Sequence, residues 1–243
     1  MRVRDRRMHI GFLINTTEPF YHGGYETRAW DFARALARRH RVTIYTSCGA
    51  AQEIEGVQFR PLAPEREYFN QKGVRNLTAD ATFALAVLKL WAERDRPDIL
   101  DACATPYLHL RPAKWVARRW GVPLVATVHE ALLHAIDGYV RQRGAGALQK
   151  PYAALLRGVY HTGLRAADHR LAVSPNTARE LEKEGYPADA VVEFGLDLEQ
   201  FPEPAKDPPR DRPLQFIWVG RLTAHKQVET ALLALHGLGQ DGL

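Results

Sequence analysis

The sequence predicts an α/β fold, a doubly wound parallel sheet of Rossmann-like type followed by the opening of a second, incomplete domain of the same kind. Three observations predict it. Short apolar runs alternate with helix-periodic stretches through most of the chain, a glycine pair separates the first run from the first helix, and a proline-rich tract interrupts the pattern before it resumes.

The first strand is Met8 to Ile14, an apolar run of the kind buried on both faces of a parallel sheet. A loop with Pro19, Gly23 and Gly24 follows. Beyond it Tyr25, Ala29, Phe32, Ala33 and Leu36 recur at helical spacing, with Arg28, Asp31, Arg34 and Arg38 on the opposite, polar face. Val42 to Thr46 is β-branched and aromatic and completes a βαβ unit. Further strands are expected at Val57 to Pro61, Asp98 to Asp101, Leu124 to Val128, His169 to Val173 and Ala190 to Glu193. Helices are expected at Thr78 to Arg94, Ala113 to Trp120, Tyr152 to Ala166 and Thr177 to Glu184. Such sheets bind ligands at the carboxyl ends of their strands.

Residues 202–213, PEPAKDPPRDRP, hold five prolines and no large apolar side chain and read as a semi-rigid linker. This divides the chain into a domain over 1–201, the linker, and a unit over 214–243. In the last unit Leu214 to Val219 reads as a strand, Gly220 as a turn and Ala224 to Leu235 as a helix. So short a stretch closes no core of its own.

Composition narrows the function classes. Of the net charge of +5, the opening MRVRDRRM holds +3, which leaves too little to predict a nucleic-acid groove. The apolar run after that tail is too short for an export signal, and nothing approaches the roughly 18 apolar residues of a spanning helix. Cys48 and Cys103 show no paired-motif spacing, so the expected compartment is reducing and cytoplasmic, with peripheral contact at the inner membrane face the open alternative. The helix Ala113 to Trp120 motivates that alternative, because it mixes Lys114, Arg118 and Arg119 with Trp115 and Trp120. A solvated helix with its tryptophans packed on the sheet is the other reading. Residues 65–75 and the glycine-rich, basic stretch 137–150 read as surface loops, the second as a flap behind His129.

Three constellations lie where this fold places a site. Gly23-Gly24, at a helix start, allows close backbone approach to a phosphate or a sugar, or makes a tight turn; the spacing is not that of a dinucleotide fingerprint. His129-Glu130 directly follows an apolar strand, where an imidazole can hydrogen-bond a hydroxyl or phosphate or move a proton, or simply start a helix. Gly220-Arg221-Leu222 with Lys226 puts two cations beside a helix start, as a diphosphate clamp or as a solvated basic face.

Four segments in this order resemble the family-4 glycosyltransferases, retaining enzymes of the GT-B fold. They are HGGYETRAWDFARALARRHRVTIYT, PLVATVHE, LAVSPNTARELEKEGYPADAVVEFGLDLEQFPE and FIWVGRLTAHKQVETALLAL. The resemblance implies a GT-B N-terminal domain carrying the acceptor, and the start of a domain holding a nucleoside-diphosphate-sugar donor. Arg221 and Lys226 would then neutralise the leaving diphosphate, His129 would contact the donor sugar or its phosphate, and Gly23 and Gly24 would line the meeting point of donor and acceptor. No metal or other cofactor is implied. The acceptor is a sugar, a lipid-linked molecule or a small molecule, and no nucleic-acid partner is expected. Phe194 stands where the family usually has asparagine. The family's later glutamate pair has no counterpart before Leu243, so the chain alone is expected to be weakly active or inactive. The alternative is a non-catalytic binding or assembly module that self-associates through the strand at 214–219.

Overall fold

The computed structural model describes residues 6–67, 76–105, 107–133, 135–142, 146–195, 215–220, 222 and 226–240. The chain divides into one compact unit of residues 1–68 and 76–195 and another of residues 69–75 and 196–243.

The larger unit carries an eight-stranded sheet. Its strands are β1 (His9–Leu13), β2 (Arg41–Thr46), β3 (Gln52–Ile54), β4 (Val57–Pro61), β5 (Ile99–Cys103), β6 (Leu124–Val128), β7 (His169–Ala172) and β8 (Ala190–Val191), in the spatial order β3-β4-β2-β1-β5-β6-β7-β8. From β1 the chain winds outward to β2 and β4 on one side, then returns to lay β5 on the other. The switch between β1 and β5 leaves a crevice at the carboxyl ends of the strands. All pairs are parallel except β3 with β4, so the wholly parallel sheet expected from the sequence gains an antiparallel edge. Three polar-rich residues, QEI, carry no strand signal of their own. A two-residue turn makes them one, with Glu55 at φ 49° and Gly56 at φ 79°.

The helices are α1 (Gly24–Ala37), α2 (Leu77–Ala86), α3 (Leu110–Trp120), α4 (Ile136–Gln142), α5 (Gln149–Ala166), α6 (Pro175–Lys183) and α7 (Val228–Gln240). Strand residues alternate between two cores, as the pleat requires. On one face Leu13, Tyr45, Leu100, Leu124, Ala126 and Val128 meet Phe83 of α2, Val116 of α3, Leu164 of α5 and Leu181 of α6. On the other, Ile10, Phe12, Val42, Ile44 and Phe59 meet Ala29, Trp30 and Ala33 of α1.

Several expected boundaries move. The helix expected over Thr78 to Arg94 is an α-helix only to Ala86 and tightens into a 3₁₀ segment over Val87–Ala92, packed against α3. The flap expected at 137–150 contains α4, whose Ile136 and Val140 are buried against Ala153 of α5. Of the two tryptophans on α3, Trp120 is packed in the core and Trp115 is exposed. Arg28, expected on the polar face of α1, is 6% exposed. In the second unit, residues 215–219 pair with no strand among the described residues, with Phe216, Ile217 and Val219 exposed, and the helix there is Val228–Gln240, the expected start at Ala224 lying outside the described residues. Among the described residues, no helix is long and apolar enough to cross a membrane.

Candidate active site

The site forms where α1 lies over the carboxyl end of β6. Leu124, Ala126 and Val128 of β6 face the four-helix core, so the alternating positions, Thr127 and then His129, fall on the side of α1. His129 is half-buried, and the Tyr25 ring in the first turn of α1 lies against it, centroids 4.5 Å apart and planes tilted by 52°. The Tyr25 hydroxyl donates to Oε1 of Glu130 at 2.6 Å. One tyrosine thus touches both residues of the His129-Glu130 pair.

The backbone of that pair is held from behind. The Tyr107 hydroxyl donates to the Glu130 carbonyl at 2.8 Å, and the Thr177 hydroxyl donates to the His129 carbonyl at 3.3 Å. Tyr107 is buried and has φ 69°, a backbone conformation that non-glycine residues adopt at a cost of about 1–3 kcal/mol. Its ring stacks edge-on with Tyr160 at 4.6 Å, and its carbonyl lies against Gly163, where any Cβ would come within 2.9 Å of the oxygen. The strained residue is over-determined by packing on the one side and delivers a hydroxyl to the site on the other.

Two further charges lie beneath α1. Nη2 of Arg28 donates to the Val192 carbonyl at 2.9 Å, its guanidinium sits 4.3 Å over the Phe32 ring, and its Nε is buried with no hydrogen-bond partner. Burial lowers its pKa, opposed by the charges of Asp101 and Cys103. Asp101 accepts from the Thr127 hydroxyl at 2.7 Å; burial pushes its carboxyl up to about 6, with the Thr127 bond and Arg28 pulling the other way. Burial, and then the Arg28 cation, hold His129 down at about 3. The imidazole is therefore neutral at physiological pH and offers one donor and one acceptor. That narrows the proton-transfer role open to it in the sequence, since a group with so low a pKa is a poor acid or base near neutrality.

Gly23 is the N-cap of α1, in extended conformation, and its carbonyl accepts from Thr27 N at 2.8 Å. The Glu26 carboxylate folds back over it: a Cβ on Gly23 would lie 2.2 Å from Oε2, and Oε1 accepts from the Thr16 hydroxyl at 2.8 Å. The helix end already faces one negative charge, which suits a neutral hydroxyl there better than a second anion. Gly24 has open space where a side chain would be. Gly23, Gly24 and His129 are thus brought together through Tyr25. Lys226 is exposed in the second unit, two residues before α7, and Arg221 lies outside the described residues. Among the described residues no group of three His, Cys, Asp or Glu is placed to hold a metal ion, and both cysteines are buried and outside any disulfide.

Residues 22–200 match the family model described as Glycosyltransferase Family 4. The chain belongs to glycosyltransferase family 4. Its likenesses to individual proteins are more distant. Curated glycogen synthases of Mycobacterium tuberculosis are 29% identical over 155 residues, covering 62% of this chain and 35% of theirs, so the chain spans about a third of the length of these relatives. Among solved structures, Anabaena HepE in complex with UDP-glucose is 18% identical with a TM-score of 0.48, over 79% of this chain and 45% of that one. A UDP-glucosyltransferase from Polygonum tinctorium capable of glucosylating indoxyl is 12% identical with a TM-score of 0.45, over 80% and 54%. At these scores neither structure carries an argument, and the family assignment rests on the match over 22–200.

The structure brings Gly23, Gly24 and His129, which the sequence singles out, together with Tyr25, Arg28, Asp101 and Thr127, which it does not. Asp101 did leave a signal, as a carboxylate inside the otherwise apolar run ILDAC.

Proposed function

We propose that this family-4 chain takes part in transferring a sugar from a nucleoside-diphosphate-sugar to an acceptor hydroxyl with retention of configuration, and that residues 1–201 form the acceptor side. The observation that carries the reading is the neutral, stacked His129 at the carboxyl end of β6, joined by Tyr25 to the glycine start of α1. Neutral imidazole suits a sugar hydroxyl or a phosphate oxygen: it hydrogen-bonds without adding charge to the sugar, on which positive charge develops as the bond to the diphosphate breaks. The electron pair of that bond leaves with the diphosphate oxygen, and that oxygen takes the proton of the acceptor hydroxyl as the hydroxyl oxygen bonds the anomeric carbon on the same face. Gly23 and Gly24 line the approach for sugar hydroxyls. Arg221 and Lys226, beyond the proline-rich linker at 202–213, neutralise the charge building on the diphosphate without a metal.

The test is calorimetric titration with UDP- and GDP-sugars and a hexosyl-transfer assay, on the 243-residue chain and on a form continuing past Leu243. Saturable donor binding that weakens about tenfold when Lys226→Ala removes one charge-assisted contact is the expected outcome. Neither binding nor turnover of any such donor by either form would sink the proposal.

A further inference from the structure

In the larger unit, α4 and α5 line an open pocket of about 420 Å³. Its floor is apolar: Val140 and Ala153 are 2% and 4% exposed and pack with Ile136. Its rim is basic. Lys150, Ala153 and Arg157 share one face of α5 at i, i+3 and i+7, so the two cations flank the small alanine at the bottom, and Arg141 of α4 stands across from them. Asp137 supplies the one carboxylate of the lining, and it accepts from Nη2 of Arg157 at 2.6 Å. Arg141 and Lys150 have no acidic partner among the described residues.

We propose that this cavity binds the oxyanion group, phosphate or carboxylate, of a small hydroxylated molecule. Asp137 is already paired with Arg157, so Arg141 and Lys150 remain as two cations without a counter-charge beside an apolar floor, and an oxyanion is the group that would answer both with charge-assisted hydrogen bonds. Arginine presents a planar fork to such a group and lysine a point charge. The volume lies at the lower end of small-molecule sites, which suits a monosaccharide-sized body and not an extended one. The Gln149 side chain on the lining adds an amide that both donates to and accepts from hydroxyls. This site is separate from His129 and does not rest on the glycosyl-transfer reading.

The experiment is an amide NMR titration of the 243-residue chain with inorganic phosphate, with glucose 6-phosphate and with glucose, at low and at physiological salt. The Val140 and Ala153 amides report this cavity, and Thr127 and Val128 report the His129 site, so failure of one assignment is distinguishable from failure of the other. The expected result is saturable movement of Val140 and Ala153 with both phosphates and none with glucose, weakening at higher salt. Tighter binding of the sugar phosphate identifies the hydroxylated molecule as the source of the oxyanion. Equal binding identifies the free anion, which retains the oxyanion site and overturns the hydroxylated ligand. Arg141→Gln with Lys150→Gln, both exposed and so harmless to the fold, should weaken binding about tenfold per cation removed. Ala153→Leu keeps every cation and fills the floor, and should abolish binding by shape alone. No movement at Val140 and Ala153 with either phosphate, or movement that survives both variants, overturns the site.

Discussion

The two faces of the sheet are built to different ends. The face under α2, α3, α5 and α6 is apolar from Leu13 through Leu100 to Val128, its buried polar strand residues being His9 and Thr43, 2.8 Å apart, on β1 and β2. The face under α1 is apolar beneath Trp30 and Ala33, but toward β5 and β6 it carries Asp101, Thr127 and His129, joined by hydrogen bonds and charge. The same strand serves both: in β6 the even-numbered residues hold the fold and the odd-numbered ones lead to the site. Burial on the first face mainly gathers apolar side chains, whereas on the second it also encloses Asp101 and His129 beside the charge of Arg28.

If that division is right, truncation on the packed face costs most. Leu124→Ala, at a fully buried position, should lower stability by about 3 kcal/mol in urea unfolding, whereas Thr127→Val, which removes a single hydrogen bond, should cost about 1 kcal/mol. Equal losses would break the comparison.

Acid stability sharpens it. His129 titrates near 6.5 when unfolded and near 3 when folded, so protons favour the unfolded chain, and the stability present above pH 6.5 is lost as pH falls toward 3. Asp101 works in the opposite sense, from 3.8 unfolded to about 6 folded. Its ionisation weakens the fold as pH rises between those values, and acid relieves that cost. His129→Gln should therefore flatten the loss between pH 6.5 and 4 by on the order of 2 kcal/mol, and Asp101→Asn should steepen it. Unchanged pH profiles in both variants would show that the α1 face is not electrostatically tuned.

Gly163→Ala joins the two faces, since its methyl meets the carbonyl of Tyr107, which holds Glu130 from the packed side. A loss of about 1–2 kcal/mol is expected, with the His129 ring resonances shifted although the substitution lies on the far side of the sheet. Smallest in stability is Tyr25→Phe, which keeps the ring against His129 and deletes an exposed hydrogen bond. Thermal unfolding should change by less than about 0.5 kcal/mol, while transfer falls several-fold if the Glu130 contact orients the site.

Much of this was legible in residue order. The apolar runs at Met8 to Ile14 and Leu124 to Val128 could be nothing but buried strands, and a histidine directly after the second had to stand at a carboxyl end. Strand β3 was not legible, because its pairing comes from a turn and a neighbour rather than from its own side chains. Neither was the helix inside the basic stretch at 137–150, where Ile136 and Val140 are too few to mark a period until α5 supplies the other half of their core.

The sequence alone determined the alternation of strands and helices, the place of the glycine loop and the position of His129, because these depend on local periodicity and on which residue follows which. Only the tertiary structure decided that Arg28 turns inward, that Tyr25 closes on His129 and that Asp101 titrates far from its ordinary range. Those properties depend on which buried groups meet across β5, β6 and α1, and the energy of a buried charge is set by neighbours distant in the chain.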